Sequence, residues 1–313
     1  MSEHFHRTDI DMNRRDLIRY STGGVLSAAL PGLGFAADAP LATIPSTGEK
    51  IPTIGLGTWI TFNVGNKESI RVQRCEVLNR FFELGGRMVD SSPMYGAAED
   101  VLGFCEERAA GPKDYLRTTK VWTSSNSEGR QQIEQSFDLW SANQFAIYQV
   151  HNLVNWEHHL PYLHELKAEG RIRYVGITTS HGRRHREMEE LMRSQDLDFV
   201  QLTYNLEDRE VEDRLLPLAA DRGIGVIVNR PFQRGALFRK LNRQPLPDWA
   251  ADIDCTNMAQ IMLKFVISHP AVTCAIPATS QLAHLEEDMA ARYGPMPDAA
   301  LRTEMTKWFD RIY

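Results

Sequence analysis

The chain has 313 residues, of which 42% are hydrophobic and 24% charged, and its formal net charge is -6 at pH 7. This composition is typical of a globular protein with an ample core. Both signs of charge are interspersed, with no polybasic tract beyond the N-terminus, so we expect no nucleic-acid partner.

The first 39 residues have the layout of an export signal. Arg14 and Arg15 stand side by side in "NRRDLIRY", and a mildly apolar run rich in Gly, Ser and Ala follows at residues 21–36. A charged start, a short apolar stretch and a small-residue end are typical of signal peptides. The paired arginines resemble a twin-arginine signal, and the alternative is a tail that holds two arginines by chance.

This layout leads to a prediction about domains and location. We expect residues 1–39 to be a signal peptide, with small residues that allow cleavage after Ala36 or Ala39, and residues 40–313 to form one domain. The precursor would then have the Tat export machinery as a partner, and the protein would be periplasmic or otherwise exported. The apolar run is too short for a stable span, so no stable membrane insertion is expected after cleavage.

From Pro45 onward, short β-branched or apolar runs alternate with longer amphipathic runs, which predicts alternating strands and helices. The predicted strands cover residues 54–59, 87–92, 116–122, 145–152, 173–179, 199–205, 225–231 and 272–278. The predicted helices include residues 68–84, 131–140, 187–193, 215–221 and 258–268. Glycines such as Gly170 and Gly223 follow several of the helical stretches, as they commonly do at helix ends.

Eight strand–helix units predict an α/β fold of the (β/α)8 TIM-barrel type. An open dinucleotide-binding sheet is less favoured because no GxGxxG motif follows an early strand. Residues 46–57, "STGEKIPTIGLG", predict an N-terminal β-hairpin that closes the barrel floor. An extra C-terminal helix is expected at about residues 299–309.

The cysteines and histidines do not predict a metal site. Cys75, Cys105, Cys255 and Cys274 have no CxxC spacing. An oxidising compartment permits disulfides, but Cys274 lies in an apolar run and the others in helical patterns, so buried free thiols are expected. The histidines of "HGRRH" have i,i+4 spacing but enclose two arginines and no acid, which favours a solvated helix start.

Four ionisable side chains fall at the C-terminal ends of three consecutive predicted strands, where TIM barrels carry their active sites. Asp90 ends the second strand and Tyr95 follows it, Lys120 ends the third, and His151 ends the fourth. Each alone has an ordinary structural explanation, such as a loop cap or a core imidazole. Together they indicate an active site that needs no metal.

The expected chemistry is proton transfer to a carbonyl. An ammonium near Tyr95 would lower the pKa of its phenol, with Asp90 holding the ammonium of Lys120 in place. The phenol could then give a proton to a carbonyl oxygen as hydride arrives at carbon. His151 would orient the carbonyl or help the proton transfer. The residues therefore predict reduction of an aldehyde or ketone.

The motifs "VDSSPMYG", "TTKVW", "YQVHN" and "AIPATS" resemble those of the aldo-keto reductases, which are NAD(P)-dependent barrel enzymes. The resemblance extends from about Ile51 to Asp288 and, with the N-terminal signal, is to a bacterial exported subgroup. It implies that the four residues named above form a catalytic tetrad with Tyr95 as general acid. The alternative function is a nucleotide-binding regulatory or scaffold protein of the same fold with little turnover, which the intact tetrad disfavours.

The resemblance also implies a site for a nicotinamide dinucleotide. Asn229 stands where many relatives place an aromatic ring that stacks on the nicotinamide, so stacking would require another ring. Ala278, Gln281 and His284 occupy positions where relatives that prefer NADP carry a base for the 2′-phosphate. NADP(H) is expected slightly ahead, and NAD(H) remains open. The implied cofactor contacts are Gly57, Thr58, Trp59, Thr178, Gln201, Asn229, Arg230, Phe232, Gly235, Thr279, Glu287 and Asp288.

Two further groups of side chains complete the predicted site. Arg230 and Arg234 are expected near the pyrophosphate. Trp59, Trp122 and Asn152 would line the mouth through which substrate enters. Aromatic rings there fit a small, partly apolar carbonyl compound.

Overall fold

The computed structural model describes residues 39–108, 111–241 and 243–312. Residues 1–38, which make up almost all of the predicted signal peptide, lie outside the described residues. Within the described part, a two-stranded antiparallel hairpin precedes eight parallel strands that alternate with helices.

The strands and helices have the following bounds. The hairpin strands are β1 (Leu41–Thr43) and β2 (Lys50–Pro52). The barrel strands are β3 (Leu56–Gly57), β4 (Met88–Asp90), β5 (Leu116–Val121), β6 (Phe145–Val150), β7 (Ile172–Thr178), β8 (Phe199–Thr203), β9 (Gly225–Asn229) and β10 (Cys274–Ala275). The described helices are α1 (Glu68–Glu83), α2 (Ala98–Glu106), α3 (Asn126–Leu139), α4 (Trp156–Ala168), α5 (His185–Ser194), α6 (Leu215–Arg222), α7 (Ala236–Leu241), α8 (Met258–Ile267), α9 (Leu282–Ala290) and α10 (Ala299–Ile312). Among these residues, no helix has the length and apolar character to cross a membrane.

The eight strands close into a barrel, as predicted. Their order follows the chain from β3 to β10, and a parallel bridge between Ile54 and Ala275 joins the first edge to the last. The backbone N–H of Gly57 donates to the carbonyl of Pro277 over 2.8 Å at the same seam. A Cβ at Gly57 would lie 2.8 Å from the carbonyl oxygen of Ile276, so a residue with a side chain would push the seam apart.

The N-terminal hairpin is present, but it begins earlier than predicted. Leu41 pairs with Pro52 and Thr43 with Lys50, whereas residues 44–49 connect the two strands through a turn at residues 45–47. The cause is the turn itself: the N–H of Gly48, at φ +76°, bonds to the carbonyl of Ile44. A β-strand pattern could not show where this glycine reverses the chain.

The barrel floor is filled by the hairpin and by the first residues of the strands. Ile44 and Ile51 of the hairpin are buried against a cluster that includes Met88, Leu116 and Phe199. Burying such aliphatic and aromatic side chains stabilises the fold by about 1.5–3 kcal/mol each. The hairpin therefore closes the end of the barrel opposite the polar residues described next.

The expectation of four free thiols is wrong for two of them. Cys75 of α1 and Cys105 of α2 form a disulfide, with their Cα atoms 4.9 Å apart. Helical periodicity placed each cysteine on an apolar face, but it could not show that α1 and α2 pack side by side. Cys255 and Cys274 are buried free thiols, and burial raises the pKa of the Cys255 thiol to about 11.

Candidate active site

Three neighbouring strands bring Asp90, Lys120 and His151 to one end of the barrel. Asp90 is the last residue of β4, Lys120 lies next to the last residue of β5, and His151 directly follows β6. Lys120 is 0% exposed and Asp90 is 1% exposed. Two charges so deeply buried require partners, because water cannot solvate them.

Asp90 and Lys120 satisfy each other. The Lys120 Nζ donates to Asp90 Oδ2 over 2.6 Å and to the backbone carbonyl of Ser91 over 2.6 Å. Gln201 of β8 donates from Nε2 to the other carboxylate oxygen over 3.0 Å. Burial raises the pKa of Asp90 and lowers the pKa of Lys120, and the attraction between the two opposes both shifts.

Tyr95 stands on a single 3₁₀ turn, Pro93–Tyr95, directly after β4. Pro93 begins the turn with a preset φ, and the Ser92 hydroxyl caps it by accepting the Met94 N–H over 3.2 Å. The Tyr95 ring meets the His151 ring edge-on, with centroids 5.8 Å apart. Lys120 Nζ lies 5.1 Å from the centroid of the same ring.

The expectation that the pKa of Tyr95 is lowered is wrong. Burial raises the pKa of this phenol well above its usual value, the carboxylate of Asp90 raises it further, and Arg230 opposes both more weakly. The physical reason is that the buried phenolate would lose its hydration, while the charge of Lys120 is already paired with Asp90. Tyr95 therefore keeps its proton and can donate it.

His151 is a neutral imidazole. Burial, and then the positive charge of Lys120, lower the pKa of this histidine well below its usual value. Its Nδ1 lies 2.9 Å from the hydroxyl oxygen of Ser92. One ring edge of His151 is therefore engaged by protein, while the residue also lines the cavity.

A cavity of about 390 Å³ opens above these residues at the C-terminal ends of the strands. Lys120 lies beneath its wall. The predicted residues that line it are Asp90, Tyr95, His151, Gly57, Thr58, Trp59, Thr178, Gln201, Asn229, Arg230, Phe232 and Gly235. Most of the residues predicted to bind cofactor are therefore close to the four ionisable residues.

Besides Lys120, five predicted residues do not line this cavity. Thr279, Glu287 and Asp288 lie at or on α9, beyond the segment Ile276–Ala278 that forms its wall. Trp122 is 42% exposed outside it. Asn152 accepts a hydrogen bond from the Ser180 hydroxyl over 3.4 Å, so its side chain is turned towards the β7 loop.

Several residues on the cavity wall were not predicted. Met94 and Phe238 add apolar surface, and His181 lies at the rim. No sequence signal marks Phe238, since it lies on the short helix α7 and contacts Phe232 at 4.8 Å between centroids. Ser92, which is buried behind the wall rather than on it, was also not predicted. Its position two residues after Asp90 was a signal, because residues two apart in extended backbone lie on the same side of the chain.

Asn229 bridges the ends of three strands. Its Oδ1 accepts from the Thr203 hydroxyl over 2.7 Å, and its Nδ2 donates to the carbonyl of Thr179 over 3.0 Å. Both ends of the amide are occupied, so this side chain serves as a polar brace. Phe232, half-buried on the cavity wall, is the nearer candidate for stacking on a planar ring.

Arg230 and Arg234 give the opposite wall positive charge. Among the described residues, no acidic side chain forms an ion pair with either of them. The Arg234 guanidinium lies 3.7 Å from the centroid of the Trp59 ring. Burial and then Arg234 lower the pKa of Arg230 to about 10, so it remains charged at neutral pH.

The donors on this wall fit a nicotinamide dinucleotide. Two unpaired guanidinium groups suit phosphate oxygens. Gln201 uses its amide nitrogen on Asp90, so its amide oxygen is available to accept from a carboxamide. In the described ranges, no three His, Cys, Asp or Glu side chains form a possible metal site.

Comparison with known proteins identifies the family. The model of the Aldo/keto reductase family matches residues 53–302. The chain belongs to the aldo/keto reductase family. It is an NAD(P)-dependent oxidoreductase that acts on carbonyl and alcohol groups.

Relatives in Escherichia coli share about a quarter of the sequence. Methylglyoxal reductase YeaE is 27% identical over 249 residues, which cover 77% of this chain and 85% of the relative. An NADH-specific methylglyoxal reductase of the same organism is 25% identical over 260 residues, which cover 72% of this chain and 77% of the relative.

Solved structures share the fold at lower identity. An aldo/keto reductase from Klebsiella pneumoniae, in complex with NADP and acetate, has a TM-score of 0.69 at 21% identity and covers 86% of this chain and 95% of that one. The holo form of an aldo-keto reductase from Bacillus halodurans has a TM-score of 0.71 at 20% identity, with 86% and 96% covered. These likenesses support the (β/α)8 barrel.

Proposed function

We propose that this reductase converts a small aldehyde or ketone to an alcohol, with Tyr95 as the general acid. Lys120 and Asp90 set the electrostatic environment of the Tyr95 phenol, and His151 orients the carbonyl. The observation that carries the proposal is the buried Lys120–Asp90 pair beneath a protonated Tyr95 on the wall of a cavity.

The roles follow from what each group can do. A bound nicotinamide supplies hydride to the carbonyl carbon. As hydride arrives, the carbonyl oxygen gains negative charge and needs a donor within hydrogen-bond reach. Tyr95 holds a proton that it does not lose to solvent, and neutral His151 can donate a hydrogen bond without competing for that proton. Lys120, whose Nζ lies 5.1 Å from the centroid of the Tyr95 ring, would offset part of the negative charge that the phenolate and Asp90 then share.

For the cofactor, we propose NADP(H) slightly ahead of NAD(H). Gln201 and Thr178 would hold the carboxamide end, and Arg230 and Arg234 the phosphates. The Klebsiella structure binds NADP, whereas one Escherichia coli relative is named NADH-specific. This chain has no Lys or Arg at residues 278–284, which is consistent with a weak preference.

For the substrate, we propose a compact carbonyl compound. The cavity combines apolar surface from Trp59, Met94 and Phe238 with the polar groups of the tetrad. Two curated relatives are named methylglyoxal reductases. Methylglyoxal is therefore a suitable first probe.

For location, we propose that the protein is exported with its cofactor bound. The twin-arginine-type signal supports this, and so does the Cys75–Cys105 disulfide, because disulfides are rare in a reducing cytosol. The expected N-terminus of protein isolated from the periplasm follows Ala36 or Ala39. Protein that retains Met1 and is confined to the cytoplasm would contradict the proposal.

Comparison of the wild type with Tyr95→Phe tests the function. Titration with NADPH or NADH should quench the fluorescence of both proteins, and the two should give similar dissociation constants. The variant should lose on the order of a hundredfold to ten-thousandfold in kcat for methylglyoxal, since it lacks the proton donor. A wild type that binds cofactor but reduces an aldehyde panel no faster than Tyr95→Phe would favour a regulatory or scaffold role.

A further inference from the structure

Ser92 connects the two residues that would donate to a bound carbonyl. Its hydroxyl oxygen lies 2.9 Å from Nδ1 of His151 and accepts the Met94 N–H that caps the turn carrying Tyr95. Ser92 is 0% exposed, so water does not compete for these bonds. A single hydroxyl therefore joins the end of β6 to the turn after β4.

The protons can be assigned from the partners. A hydroxyl has one proton to donate and two lone pairs, one of which Met94 occupies. Among the described residues, His151 Nδ1 is the acceptor within reach of the Ser92 proton. If Nδ1 carried hydrogen instead, the buried hydroxyl would have no acceptor, which costs about 1–3 kcal/mol. The neutral imidazole then carries its hydrogen on Nε2.

We propose that Ser92 is a positioning residue, which holds His151 in the Nε2–H tautomer and fixes this donor relative to Tyr95. The inference rests on the proposed function, since it assigns the Nε2–H as the bond to the substrate carbonyl. Second-sphere hydrogen bonds are a common means of setting a histidine tautomer. No described residue accepts a hydrogen bond from Nε2, so it is available to a ligand.

The hydrogen bond from Ser92 also shifts the pKa of His151 in a definite direction. The Ser92 donor binds the lone pair of Nδ1, which protonation of His151 would remove, so Ser92 favours the neutral ring. Lys120 acts in the same direction from β5, while Asp90 from β4, Tyr95 and Arg230 share the cavity wall. Removal of the Ser92 hydroxyl should therefore raise the pKa of His151.

Three variants of the full-length, cofactor-bound protein test the proposal. Ser92→Ala removes the hydroxyl, and Ser92→Thr keeps it. Ser136→Ala is the matched control, because the buried Ser136 hydroxyl of α3 donates to Glu99 over 3.1 Å and does not line the cavity. Thermal melting of each variant confirms that it is folded. The tautomer is read from two-bond ¹H–¹⁵N spectra of the imidazole, and kcat/KM from methylglyoxal reduction over a pH series.

The expected result separates Ser92→Ala from the other two variants. It should populate the Nδ1–H tautomer, move the acidic limb of kcat/KM to higher pH, and lower kcat/KM by about tenfold to a hundredfold with cofactor affinity unchanged. Ser92→Thr should restore the Nε2–H tautomer. Either a single Nε2–H tautomer in Ser92→Ala or a kcat/KM within about twofold of wild type overturns the proposal. If the wild type reduces no carbonyl, the proposed function fails, and the tautomer spectra alone decide the role of Ser92.

Discussion

The two walls of the cavity differ in how their charges are balanced. The proton-transfer wall is formed by Asp90, Tyr95 and His151, with Ser92 and Lys120 buried behind them. It pairs or neutralises every ionisable group: Lys120 binds Asp90, and Tyr95 and His151 are uncharged. The dinucleotide wall, formed by residues 178–181, 229–235 and 276–278, presents two guanidinium groups that no described acidic residue pairs with. The charges of the first wall are balanced by protein groups, whereas the charges of the second are ones that a phosphate would balance.

The difference has a physical reason. Groups that move protons need fixed distances, and buried hydrogen bonds fix them at the cost of desolvation. Groups that hold a phosphate gain from meeting it without a competing carboxylate. Substitutions on the first wall should therefore affect stability and chemistry together, whereas substitutions on the second should affect cofactor affinity.

The largest effect is expected from Lys120→Met. It leaves the Asp90 carboxylate buried without its partner, which should destabilise the fold by about 3–5 kcal/mol and lower kcat on the order of a thousandfold. Chemical denaturation and single-turnover reduction measure the two losses.

Lys264→Met is the matched control. This buried lysine donates to the carbonyls of Ile253 and Tyr293 over 2.6 Å each, outside the cavity. It should lower stability but leave kcat of the folded fraction near wild type. Equal losses of kcat in both variants would show that the proton-transfer wall has no special chemistry.

A smaller effect is expected from removal of the disulfide that joins α1 to α2. The double variant Cys75→Ser/Cys105→Ser should lose about 3 kcal/mol of stability, since the bond closes a loop with a sequence separation of 30. Its kcat should remain near wild type, because neither cysteine contacts the cavity. Denaturant midpoints with and without reductant measure the effect, and a wild type insensitive to reductant would argue against this bond.

The smallest effect is expected from Arg234→Met on the dinucleotide wall. The dissociation constant for NADPH should rise about tenfold, and it should depend less on salt, because one phosphate contact is lost. Arg222→Met, at the exposed C-terminal end of α6 and outside the cavity, is the control and should bind as wild type does. An unchanged affinity and salt dependence in Arg234→Met would contradict the assignment of this wall to phosphate.

Much of the fold was predictable because strand and helix periods repeat eight times. All eight barrel strands lie within or close to the predicted segments, and α1 and α8 match to within a residue or two. The first and last barrel strands were less predictable, and β3 and β10 have two residues each. The seam between them is held by backbone hydrogen bonds around Gly55 and Gly57. Such bonds leave no side-chain pattern.

Within the site, residue type and strand order identified which groups meet. They did not set the electrostatic balance. A pattern places an ammonium near a phenol, but the sign of the pKa shift of Tyr95 depends on how far burial removes water and on which partner Lys120 binds. The disulfide between Cys75 and Cys105 was missed for a similar reason, because the distance between two helices is a property of packing.

By itself, the sequence determined the barrel, the family and the four ionisable residues at its mouth, because alternation of short apolar runs and the positions of strand ends are local properties. The tertiary structure decided that Tyr95 keeps its proton, that Ser92 joins His151 to the Tyr95 turn, and that Arg230 and Arg234 face the cavity without an ion pair to any described acidic residue. These outcomes depend on burial and on distances between segments far apart in the chain, which only the packed barrel sets.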